Sequence, residues 1–160
     1  MWELIAAAAA GLNAGSGLYI AAAEHPAGLE AGVATYWSFF PKVSTKAVTL
    51  STTLSVLTAA GAAAAYFTGD PDRDPAWLTC AAGALTVPVF DFLFVAPTKA
   101  VIDSRVMIDQ PVAERESWLR SWGRKQIVDV ALKVATFGAL LLVLGAKGED
   151  GALARLTRPR

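Results

Sequence analysis

The sequence carries a single histidine, His25, set between Glu24 and Pro26. An imidazole with a pKa near about 6.5 accepts a proton at neutral pH, which suits general-base work, and an adjoining carboxylate can orient the ring. Pro26 disfavours continued helix, so His25 is expected at a helix end close to a membrane interface, where the competing reading is a polar residue that merely ends a span. Asp91 is the one charged residue in the stretch 76–96. It must be neutral, reach water or a headgroup, or meet a cation such as Lys133, and it reads equally as a structural partner or a proton-handling acid. Asp129 and Lys133 stand at i,i+4 spacing, where opposite charges on one helical face neutralise each other. An ionisable group at the centre of a membrane helix costs about 2.5–3.5 kcal/mol, so each of these positions calls for a physical reason.

The segments that hold these residues are unusually apolar. The 160 residues are 54% hydrophobic and only 18% charged, with a mean hydropathy of +0.44, whereas soluble domains carry about 25% charged residues. A helix needs about 20 apolar residues to cross a hydrocarbon core of roughly 30 Å. Residues 4–23 and 47–68 contain no charge, 76–96 contain Asp91 alone, and 127–146 carry Asp129 and Lys133 before a fully apolar run from Val134 to Gly145. The pattern predicts an all-α, integral membrane four-helix bundle, a single multi-pass domain spanning residues 1–160. Trp2, Trp37, Trp77, Trp118 and Trp122 flank these segments, as expected of indoles in a membrane-interface belt. Amphipathic helices of a soluble bundle would show polar faces, which the first three segments lack.

Between the segments, residues 70–75 form an acidic turn with two prolines, and residues 24–46 and 97–125 are expected as long connections. With four spans those two connections share one side and gather Lys42, Lys46, Lys99, Arg105, Arg115, Arg120, Arg124 and Lys125 there, so the positive-inside rule places the termini outside the cytoplasm. By the same alternation the chemically interesting residues fall toward one membrane face. The first segment lacks the basic n-region of a signal peptide, with Glu3 in its place. Gly11 and Gly15 form a G-x-x-x-G pattern that Gly17 extends, a surface on which another helix can pack closely, including in a helix-mediated oligomer.

Several function classes are set aside. Fourteen basic and fourteen acidic residues give no net charge, so no field favours nucleic acid. One cysteine, Cys80, excludes an intrachain disulfide, and one histidine excludes a multi-histidine metal or bis-histidine haem site within the chain. No internal repeat or pair of interrupted helices marks a transporter.

The motifs GLNAGSGLYIAAAEHP (residues 11–26), Ala96-Pro97-Thr98 and Trp122-Gly123-Arg124 together resemble the small four-span membrane proteins that include the fungal anthrone oxygenases. The resemblance covers nearly the whole chain. It implies oxidation of an anthrone to an anthraquinone by molecular oxygen in aromatic polyketide biosynthesis, a reaction that needs no metal or flavin in principle. On that reading His25 is the catalytic base, Glu24 its catalytic partner, and Asn13 a substrate-binding group that shares a helix stripe with Gly17 and Glu24 at offsets of 4 and 11. Asp91 and Gln126 complete the expected site around an apolar aromatic substrate and O2. Lys99 stands where many members show asparagine, and Gln126 and Asp129 stand where histidine and arginine are often found. The enzyme reading requires these groups to converge on an apolar pocket. The alternative, a non-catalytic membrane protein acting through helix-helix or partner contacts, requires packed helices with the charges satisfying one another.

Overall fold

The structure, a computed structural model, describes the backbone of residues 1–69 and 74–156 and the side chains as far as Lys147. Its described residues form four long helices, α1 (Trp2–Glu30), α2 (Val33–Thr68), α3 (Ala76–Ile102) and α4 (Val112–Leu156). Each is long and apolar enough to cross a membrane, and no strand occurs among the described residues. α1 packs on α2, α2 on α3, α3 on α4 and α4 back on α1, so the helices form a closed up-and-down ring. An ion pair between Lys147 and Glu3 ties the end of the last span to the start of the first.

Two expectations about the connections are overturned. Residues 24–46 are not a long loop, because α1 runs on to Glu30 and α2 begins at Val33, leaving a turn at Ala31-Gly32 in which Gly32 takes φ +94°. That left-handed geometry suits glycine. Residues 97–125 are likewise mostly helical, broken only between Ile102 and Val112 by a 3₁₀ turn at Arg105–Asp109. The charges that suggest loops sit on outward helical faces: Lys42 and Lys46 are exposed, and α2 carries Pro41 within it. At 36 residues α2 is about 54 Å long, well beyond a hydrocarbon core of roughly 30 Å. The acidic turn lies outside the described residues at 70–73; at its end the Asp74 carboxylate accepts the Ala76 N–H at 2.8 Å.

Two cores stabilise the ring. Near the termini, Ala6, Ala10, Ala59, Ala62, Ala81 and Ala84 pack with Trp77 and Leu140, and Gly61 lets α2 meet the α1 backbone so closely that a Cβ there would stand 3.0 Å from the Ala6 nitrogen. At the opposite end Tyr36, Phe40, Ile102, Leu119 and Trp122 fill a larger-residue core. Of the flanking tryptophans, Trp37, Trp77 and Trp122 are buried within the bundle and Trp118 is half-buried, while Trp2 is exposed. Outward faces carry Leu4, Leu12, Phe67, Phe92 and Leu142, all strongly exposed, an apolar surface that suits lipid. The G-x-x-x-G pattern is split. A Cβ at Gly11 would press on the Phe137 ring of α4 at 3.1 Å, whereas Gly15 faces open space.

Candidate functional site

A local irregularity of α1 positions His25. Pro26 has no N–H and its ring crowds the carbonyl four residues earlier. The chain relieves this by widening into a π-helical turn over Ile20–Glu24, in which the His25 N–H bonds to the Ile20 carbonyl, before α-helix resumes. α3 repeats the device over Asp91–Val95, where the Ala96 N–H bonds to Asp91 O immediately before Pro97. Such turns occur frequently at functional sites, and here each carries or abuts one of the residues singled out by the sequence.

The extra residue in the turn also changes which side chain points inward. On an uninterrupted helix Glu24 would share the stripe of Asn13 and Gly17. One inserted residue advances the phase by about 100°, so His25 takes the inward position. His25 is 8% exposed, not the wet helix end expected from Pro26. Its Nδ1 lies 3.0 Å from the hydroxyl of Tyr36, which is fully buried. Trp122 covers the imidazole with ring centroids 5.3 Å apart, and Phe40 meets Trp122 edge-on at 4.9 Å. Two glycines make the room. A Cβ at Gly28 would stand 2.6 Å from the Tyr36 ring, and one at Gly123 would overlap Nε2 of His25. Glu24 is half-buried and does not hydrogen-bond the imidazole; its charge bears on Tyr36 instead. The expected orienting partner is thus replaced by Tyr36.

His25 lines a groove of about 310 Å³ between α1 and α4, walled by Pro26, Leu29 and Ile127 and rimmed by Arg120, Arg124 and Gln126. Arg120 is held by Glu116 at 2.6 Å. Gln126 connects the groove to the interior, since its Nε2 donates to Asp129 Oδ2 at 2.8 Å. Lys133 Nζ donates to the same oxygen at 2.6 Å, so the expected i,i+4 pair forms, fully enclosed. The lysine stem lies over Gly17, where a Cβ would stand 3.2 Å from its Cδ. Asp129 Oδ1 is buried without a hydrogen-bond partner among the described residues.

The remaining expected site residues lie elsewhere. Asn13 is buried between α1 and α2, donating to Ser55 Oγ at 2.9 Å, and lines a small cavity of about 10 Å³ with Lys133 and Thr136 rather than the His25 groove. Asp91 lines a separate groove between α2 and α3, on the other side of the ring. The structure therefore brings His25 and Gln126 together and leaves Asp91 and Asn13 apart from them. Tyr36 and Arg120 are the participants that sequence reasoning missed, because no local spacing ties either residue to His25. Among the described residues no group of three or more His, Cys, Asp or Glu side chains is placed to hold a metal.

Fold and site together define an all-α four-helix bundle, its helices fit to cross a membrane, with one buried histidine opening onto a lateral groove. In comparisons with known proteins, no family model, no curated protein and no solved structure matches the chain.

Proposed function

We propose that the chain is an integral, multi-pass membrane enzyme that oxidises an anthrone to an anthraquinone with molecular oxygen, His25 acting as the base. The observation that carries this reading is the buried His25, which lines the groove between α1 and α4 and is held from behind by the Tyr36 hydroxyl. With Nδ1–H donating to the Tyr36 oxygen, Nε2 holds the lone pair. The groove volume of about 310 Å³ falls at the lower end of small-molecule sites, and its apolar walls suit a flat, lipid-soluble ring system.

The chemistry balances as anthrone plus O2 giving anthraquinone plus water. Nε2 removes one methylene proton, and the electron pair left behind delocalises to the ring-carbonyl oxygen. The cationic side chains of Arg120 and Arg124 on the rim favour that negative charge. The electron-rich carbon then bonds to O2, and the peroxide takes the proton from His25. Removal of the second methylene proton cleaves the O–O bond, forms the new carbonyl and expels hydroxide, which leaves as water with the proton held by His25. Resemblance at residues 11–26 and 122–124 supports the same reading.

The test is oxygen uptake and anthraquinone absorbance with purified protein in detergent and a simple anthrone. Wild type accelerates the reaction over the spontaneous rate, and His25→Ala loses about 10²–10⁴-fold, the usual worth of a general base. Absence of acceleration across several anthrones would sink the proposal. A partner-binding role has one observation in its favour: Gly15 faces outward with open space beside the exposed Leu12 and Tyr19, a place where a second helix can seat.

A further inference from the structure

With Asp91 ionised, the buried side chains of the bundle hold one carboxylate more than they have ammonium groups to offset. Asp129 is fully buried and Lys133 nearly so, and their ion pair accounts for one carboxylate and the ammonium. Asp91, 8% exposed, is a second carboxylate whose charged neighbours are the same Asp129 and Lys133. No described residue donates a hydrogen bond to it. The other charged group along its groove, Lys99, is engaged by Asp103 in an ion pair. Two carboxylates therefore share one ammonium, and a buried carboxylate without a cation or donor is costly.

Asp91 does not face packed protein. It lines a groove of about 290 Å³ between α2 and α3 whose walls, apart from Thr52 and Lys99, are Val48, Pro88, Val95, Ala96 and the exposed ring of Phe92. The π-helical turn that begins at Asp91 shapes this wall. We propose that this groove is a binding site for a lipophilic organic cation, with the Asp91 carboxylate as counter-charge. The apolar walls take the hydrocarbon part of such a ligand, and Phe92 offers a ring face to its charge. The bound cation completes the charge balance that Lys133 leaves open. The site is separate from the His25 groove and stands whether or not an anthrone is the substrate there.

The test uses purified protein in a neutral detergent with benzyltrimethylammonium, whose charge does not depend on pH, and neopentylbenzene, its uncharged isostere. Titration calorimetry is expected to show saturable binding of the cation at least tenfold tighter than of the isostere. Asp91→Asn is expected to weaken cation binding at least tenfold while Asp91→Glu retains it within about threefold. Equal binding of cation and isostere, unchanged affinity in Asp91→Asn, or no saturable cation binding by wild type would each overturn the proposal. The cation–isostere comparison needs only wild type, so it decides the matter even if the asparagine variant fails to fold.

Discussion

Lys133→Met isolates the worth of the buried ion pair. Methionine keeps an unbranched stem over Gly17, whose missing Cβ makes room for the Lys133 Cδ, but removes the 2.6 Å donor to Asp129. Asp129 would then retain only Gln126 at 2.8 Å, with Oδ1 already unpartnered among the described residues. Removing one partner of a buried pair costs about 3–5 kcal/mol, mostly because the other charge is stranded. At roughly 2–4 °C per kcal/mol for a chain of this size, the melting temperature should fall by about 6–20 °C. Cys80, the only cysteine in the chain and 4% exposed, provides the assay: a thiol-reactive fluorophore reports unfolding in detergent. Adding Asp129→Asn to Lys133→Met should recover most of the loss, since the carboxylate that Lys133 pairs with directly is then no longer stranded. A single variant that melts within about 2 °C of wild type, or a double variant worse than either single, would refute the reasoning.

Gly123→Ala places a Cβ on Nε2 of His25; overpacking of this kind costs about 1–3 kcal/mol, and anthrone turnover should fall toward the His25→Ala level while the fold, followed by circular dichroism, persists. Tyr36→Phe removes the hydroxyl 3.0 Å from Nδ1, and leaving that buried group unpaired costs about 1–3 kcal/mol. Turnover should drop without a matching rise in KM, because the lost contact orients the base and does not touch substrate.

Four spans were legible because the charge-free runs at 4–23 and 47–68 and the nearly charge-free run at 76–96 leave no charged face on which a soluble helix could rest, and the charge-free run at 134–145 marks the fourth. Their true extents were not. Pro26 reads as a helix end and residues 24–46 and 97–125 as connections, yet π-helical turns precede Pro26 and Pro97 and Pro41 sits inside α2. His25 could be singled out because it is unique in the chain. Its surroundings could not, because the phase advance at Ile20–Glu24 swaps Glu24 for His25 on the inner face. Trp122-Gly123-Arg124 stands out as a motif, but its reason, space for an imidazole from another helix, is a property of three dimensions. Asp91 was recognisable as a group that must be neutral, reach water or a headgroup, or meet a cation such as Lys133, but only the fold shows that Lys133 is paired with Asp129.

The unequal cores give the two ends of the bundle different mechanical characters. At the termini end, Ala6, Ala10, Ala62 and Gly61 hold helices in near backbone contact, a clamp with no side-chain rotation to yield. At the other end, Tyr36, Phe40, Leu119 and Trp122 meet through large side chains that can turn against one another. On the proposed reading, a molecule reaching His25 through the groove between α1 and α4 would meet the end packed by large aromatic side chains, and not the end held by alanines and glycine.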